Sequence, residues 1–126
     1  MKVIICGGRK HPPFTSEQVQ WLDSLHEAYH FSEVIEGGAY GADRHAREWA
    51  YKRKIATVTF WANWGMIPSY AAGPVRNTKM LAYLAWVSKE SKEACGLVQF
   101  SGGKGTADMV SKAVIVGVRI YTWSET

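Results

Sequence analysis

The chain has 126 residues, 47% of them apolar and 21% charged, which suits a single globular unit and excludes a disordered chain or a disulfide-stapled miniature. The formal charge of +4 suits an anionic ligand but is too small and too dispersed to require nucleic acid. No apolar run approaches the roughly 18 residues of a membrane span, so no membrane partner is expected.

Met1 to Cys6 meets a glycine turn too soon for a signal-peptide core. Lys2 to Cys6 reads as a short buried strand, ending at Gly7-Gly8-Arg9. Thr15, with Gln18 three residues on, makes a capping-box pattern. Val19, Leu22, Leu25, Ala28 and Tyr29 then recur at helical spacing. Glu33 to Glu36 reads as a second strand, which breaks into Gly37-Gly38-Ala39-Tyr40-Gly41. Ala42, Ala46, Trp49 and Ala50 mark one face of a second helix. Ala56 to Trp61 is a β-branched and aromatic third strand. An irregular stretch from Ala62 to Gly73 precedes a third helix from Pro74 to Glu90, with proline at its favoured first position. Leu97 to Phe100 reads as a fourth strand. The helix from Thr106 stops at Gly117, a left-handed terminator, and Val118 to Trp123 makes a fifth strand.

Strands alternating with helices in near-continuous apolar runs predict an α/β fold with a parallel five-stranded sheet covered on both faces. The expected architecture is a single Rossmann-like three-layer domain over residues 1–126, with strand order 3-2-1-4-5. In that order the turns after strands 1, 2 and 4 open onto one crevice at the carboxyl edge of the sheet.

Those turns are all glycine-rich. A strand that breaks into glycines and restarts as a helix leaves backbone N–H groups facing an anion. In the turn from Ser101 to Asp108, Gly102, Gly103 and Gly105 allow close backbone approach. Thr106 is expected to cap the helix and offer its hydroxyl to a phosphate. Lys104 either neutralises charge or points into solvent. The spacing GxxxxGKS/T is absent, so ATP hydrolysis is not implied.

Asp108 is expected in the first helical turn, as dipole compensation or as a carboxylate that contacts ribose or acts in catalysis. Asp43 carries the same ambiguity in the junction with Gly37, Gly38, Ala39 and Gly41. Arg76 and Asn77 fall on the predicted first turn of the third helix. A cation there opposes the dipole, so Arg76 is either held by a ligand or a carboxylate nearby or is a surface arginine that serves solubility. Gly7, Gly8 and Arg9 lie at the switch point, and Arg9 either reaches a phosphate or is a surface arginine.

Trp61, Trp64 and Tyr70 pack at the sheet edge or against a second subunit, or stack on a base. His11, His26, His30 and His45 lack metal-ligand spacing, and no Ser-His-Asp arrangement is discernible, so neither a metal nor a cofactor is expected. Cys6 and Cys95 have no CxxC spacing and read as buried or partly buried thiols of a cytoplasmic protein. Met80, Leu81, Leu84, Trp86 and Val87 surround much of the third helix, more than one sheet face needs, which predicts a homodimer or higher homo-oligomer.

On Gly7-Gly8-Arg9, GGAYGADR (37–44), AAGPVRNTKM (71–80) and SGGKGTADMV (101–110), the chain resembles the SLOG superfamily from first strand to last. Within it, the chain is similar to the YspA-like, cpYpsA-related group of small Rossmann-like proteins. More distantly it is similar to the Lonely Guy phosphoribohydrolases and to the DNA-processing protein DprA. The resemblance implies a nucleotide or nucleotide-derived signalling ligand in the crevice, bound by a sensor or sequestering protein.

The Lonely Guy enzymes cleave the N-glycosidic bond of a nucleoside monophosphate with an arginine in RKxxM and a glutamate in PGGxGTxxE. Arg76 and Met80 match the first spacing, with Asn77 in place of lysine. Asp108 stands in the place of the glutamate, one methylene shorter, and Ser101 in that of the proline. The second glycine turn is one residue shorter than in those enzymes. The resemblance thus implies, as an alternative, a phosphoribohydrolase with Arg76 and Asp108 as catalytic residues. The second alternative, DprA-like nucleic-acid binding, lacks a long basic stripe in this chain.

Overall fold

The computed structural model describes residues 1–125. In chain order the elements are β1 (Lys2–Cys6), α1 (Ser16–Tyr29), β2 (Glu33–Glu36), α2 (Ala42–Lys52), β3 (Ala56–Thr59), a 3₁₀ turn (Ser69–Ala71), α3 (Ala72–Ser91), β4 (Cys95–Gln99), α4 (Lys104–Ile115) and β5 (Arg119–Thr122). The strands form one parallel sheet in the order β3-β2-β1-β4-β5. This is the Rossmann-like order expected from the alternation of strand and helix.

β1 is the central strand, with Ile4 opposite Ile35 on one side and Leu97 on the other. Side chains alternate across the sheet, so one sequence of apolar residues feeds two cores. Val3, Ile5, Val34 and Val98 pack with Leu22, Phe31, Ala46 and Trp49 of the α1 and α2 layer. Ile4, Ile35 and Leu97 pack with Met80, Leu81, Leu84, Met109 and Ala113 of the α3 and α4 layer. Each large side chain buried this completely contributes about 1.5–3 kcal/mol.

The helix ends follow local chemistry. The capping box is formed: Gln18 N donates to Thr15 Oγ1 at 3.2 Å, and Thr15 N to Gln18 Oε1 at 2.9 Å. α1 ends at His30 in the left-handed region, with φ 51°. Gly117 follows α4 with φ 79°.

Several boundaries differ from the sequence reading. β3 stops at Thr59 rather than Trp61, and β4 begins at Cys95 and ends at Gln99. α3 grows out of the 3₁₀ turn and begins at Ala72, so Pro74 is its third residue rather than its first. Proline is still tolerated there, because the first four N–H groups of a helix have no partner within it. α4 begins at Lys104, two residues before Thr106. Among the described residues no helix is long and apolar enough to cross a membrane.

Candidate functional site

The strand order turns back between β1 and β4, and the carboxyl ends of β1, β2 and β4 open onto one cleft of about 1110 Å³. The end of β1 and the turn after it supply Cys6, Gly7, Gly8 and Arg9 to its lining, and the turn after β2 with the start of α2 supplies Gly37, Ala39 and Asp43. α3 adds Arg76 and Asn77, and the turn after β4 with the start of α4 adds Ser101 to Thr106 and Asp108. Two glycines singled out from sequence stand outside the lining. Gly38, with φ 73°, lies under the ring of Trp61. Gly41, with φ 82°, passes so close to the Gly8 carbonyl that no side chain fits.

The glycine turns fasten one another. Gly8 N donates to Ser101 O at 2.9 Å, and Gly8 O accepts from Ala42 N at 3.1 Å. A Cβ on Gly102 would strike the Thr106 hydroxyl and lie 2.7 Å from Gly8 N. Gly103 and Gly105 differ, since a Cβ on either would meet no atom within 4 Å.

The first turn of α4 carries no side-chain cap. Thr106, expected as that cap, is instead the third residue of the helix and is buried against Gly102. Its hydroxyl is turned into the junction, because Lys104 and Gly105 are already helical ahead of it. Asp108, expected in the first turn, is the fifth residue and compensates no dipole there. Arg76 is likewise the fifth residue of α3. The longer helices, not a change of face, account for both shifts.

A chain of polar contacts crosses the cleft. Arg76 Nη1 donates to Gly37 O, and Arg76 Nε to Asn77 Oδ1 at 2.9 Å. Asn77 Nδ2 donates to Gly105 O at 3.1 Å and to Asp108 Oδ2 at 3.0 Å. Lys112 Nζ lies 2.9 Å from Asp108 Oδ2 and also donates to Pro74 O. Burial lowers the Arg76 pKa, an effect opposed by Asp43, and a guanidinium stays charged under these conditions.

Asp43 is the second residue of α2 and is only 7% exposed. Its Oδ2 accepts from Ala39 N at 3.2 Å. Burial pushes its carboxyl up to about 6 against that bond, with Glu36 adding to the rise and Arg76 opposing it. Burial also pushes the Cys6 thiol up to about 12, so Cys6 is an unreactive wall residue.

Glu36, which the sequence reading passed over, is fully buried at the end of β2. It accepts from Gly38 N at 2.7 Å and from the Thr59 hydroxyl, with Arg47 Nη1 3.9 Å away. An acidic residue closing an apolar strand is the signal that marks it. Lys10, His11, Thr15 and Gln18 also line the cleft. His11 is held by Pro12 O and packs edge-on against Phe14 and Phe100.

At the cleft mouth stand Trp64, half exposed, and Tyr70, largely exposed. The Arg9 guanidinium lies 4.5 Å above the Trp64 ring. Trp61 lies outside, over Gly38. On α3, Met80, Leu81 and Leu84 are consumed by the core, and Trp86 is left 60% exposed. Among the described residues no group of three His, Cys, Asp or Glu side chains is placed to hold a metal ion.

The family model described as YspA, cpYpsA-related SLOG family matches residues 1–66, from β1 through β3. Neither a curated protein nor a solved structure matches the chain. The matched half carries Gly7-Gly8-Arg9 and GGAYGADR, two of the three glycine turns that build the cleft. With just over half its length matched and a Rossmann-like sheet behind those turns, the chain belongs to the YspA, cpYpsA-related SLOG family.

Proposed function

We propose that the protein binds a nucleotide or nucleotide-derived signalling ligand in this cleft, as a sensor or sequestering protein of nucleotide signals. Membership of the SLOG family suggests nucleotide-related binding in general. The observation that carries the finer reading is the first turn of α4. Its N–H groups have no side-chain cap, and Gly103 and Gly105 leave open space beside them.

A glycine inside a helix costs about 1 kcal/mol relative to alanine, and no protein atom requires the one at 105. An anion seated on the backbone makes use of both features, since the helix N-terminus carries partial positive charge. Arg76 and Arg9 add cations, and Trp64 and Tyr70 offer aromatic faces for a base.

The test is incubation of the purified protein with a mixture of nucleoside monophosphates, NAD-derived nucleotides and cyclic nucleotides. Bound and free fractions are then analysed by mass spectrometry. An intact compound enriched on the protein is the expected result, and no enrichment of any member would overturn the reading.

A second reading, hydrolysis of a nucleoside 5′-monophosphate to base and ribose 5-phosphate, is favoured by one observation. Asn77 joins Arg76 to Asp108, the two residues that reaction would use. Asp108 would stabilise the oxocarbenium-like charge left on the ribose. Free base in the same incubation, lost in Asp108→Asn, would support this second reading. Equal release by wild type and variant would remove Asp108 from it.

A further inference from the structure

We propose that Asp43 reads the sugar of the ligand, accepting a hydrogen bond from a ribose hydroxyl beside Arg76, so that the site selects ribonucleotides over deoxyribonucleotides. The inference rests on the nucleotide-binding reading and names the substrate class within it.

In doubly wound folds a carboxylate following the second strand commonly takes a ribose hydroxyl. Here the carboxylate that ends β2 is not free to do so. Glu36 is fully buried, and its two oxygens already accept from Gly38 N and the Thr59 hydroxyl. It holds the turn in shape and does not line the cleft.

Asp43 is the carboxylate of that turn which does line the cleft. Its Oδ2 accepts from Ala39 N at 3.2 Å, and the Gly37 backbone N–H also favours its charged form. A carboxylate offers about four acceptor positions, more than two backbone N–H groups fill. No cation lies within ion-pair distance of it among the described residues. Arg76 is close enough to act on it by charge, yet donates its Nη1 to Gly37 O and its Nε to Asn77 Oδ1.

A ligand group that uses the remaining acceptor capacity is therefore a donor without negative charge. A phosphate beside Asp43 would be repelled, whereas a hydroxyl meets the need. Position argues for the sugar over the base. Asp43 and Arg76 adjoin the α4 turn through Asn77, and the aromatic side chains suited to a base stand at the mouth. A phosphate on α4 and a base near Trp64 leave the ribose between them.

The measurement is equilibrium dialysis of adenosine and guanosine 5′-monophosphates against their 2′-deoxy and 3′-deoxy counterparts, with wild type, Asp43→Ala and Asp43→Asn. Wild type is expected to bind a ribonucleotide roughly tenfold more tightly than at least one deoxy counterpart, the scale of a hydrogen bond to a charged group. Asp43→Ala is expected to bring that ratio within about twofold, because no buried acceptor is then left unpaired. Asp43→Asn keeps the side-chain shape without the charge and is expected to fall between. It secures the comparison if the alanine variant folds poorly.

Equal binding of ribo and both deoxy forms by wild type would overturn the inference and leave nucleotide binding standing. A preference that survives unchanged in folded Asp43→Ala would remove Asp43 from sugar recognition. Binding of none of these nucleotides would overturn the inference.

Discussion

Asp43 carries its charge in a place that does not welcome it, and that has a thermodynamic consequence apart from any ligand. In the unfolded chain an aspartate titrates near 4, and in the folded protein burial pushes this one up to about 6. The folded state therefore binds the proton more tightly. Its stabilising contribution is complete below pH 4 and is lost as pH rises through 6. The loss is on the order of 2–3 kcal/mol for a side chain this buried. Asp43→Asn is expected to raise the melting temperature at pH 7.5 and leave it nearly unchanged at pH 4, as read by thermal denaturation at both values. An unchanged melting temperature at pH 7.5 would contradict the strained charge.

Glu93 behaves with the opposite sign. The Ser32 hydroxyl at 2.7 Å, followed by the Met1 amine at 3.1 Å, holds its carboxyl down to about 2. Its contribution is present above its unfolded value and is lost as pH falls through 2. Because Glu93 is partly exposed, Glu93→Gln is expected to cost under about 1 kcal/mol at pH 7, and only a fraction of that at pH 2.

At the scale of elements, α4 separates the needs of the fold from those of the ligand. Gly102→Ala collides with Thr106 and Gly8, so it is expected to destabilise the protein. Gly105→Ala meets no protein atom and improves helix propensity, so it is expected to stabilise by about 0.5–1 kcal/mol. Gly105 also lines the cleft, so if the proposed ligand sits on this turn, weaker nucleotide capture is expected alongside the gain in stability. Denaturation and dialysis on the one variant measure both effects. Stabilisation with undiminished capture would take Gly105 out of the site.

Much of this was legible in the chain. Thr15 and Gln18 announced their capping box because both partners are local. The apolar runs gave the strand order because parallel strands buried on two faces leave few alternatives. The starts of α3 and α4 were not legible. Whether Ala72 and Lys104 turn helical depends on the 3₁₀ turn before one and on Gly8 and Gly102 packing beside the other. The same limit hid Glu36, whose partners Gly38 and Thr59 meet it only once β3 lies beside β2.

For the whole molecule, two cores share one sheet, so neither layer is expected to melt alone. Leu22 and Leu84, each fully buried and on opposite faces, serve as probes. Leu22→Ala or Leu84→Ala is expected to cost about 2–5 kcal/mol. Each is also expected to move one common transition, seen identically by tryptophan fluorescence and far-ultraviolet circular dichroism in urea. Two separated transitions would contradict a single domain.

The pairing of β4 with β1 also sets a moment in the life of the chain at which the cleft comes into being. During synthesis β1, α1, β2, α2 and β3 emerge first, bringing Gly8 and Asp43 with them. Arg76 follows later, and the α4 turn later still. N-terminal segments fold early when they can, but the wall that faces Asp43 does not exist until β4 has docked against β1. Any compound that binds across that seam therefore engages chains in which β4 has docked and passes over those in which it has not. Its binding energy accrues only to molecules with that seam closed, so such a compound would report the docking of β4 on β1.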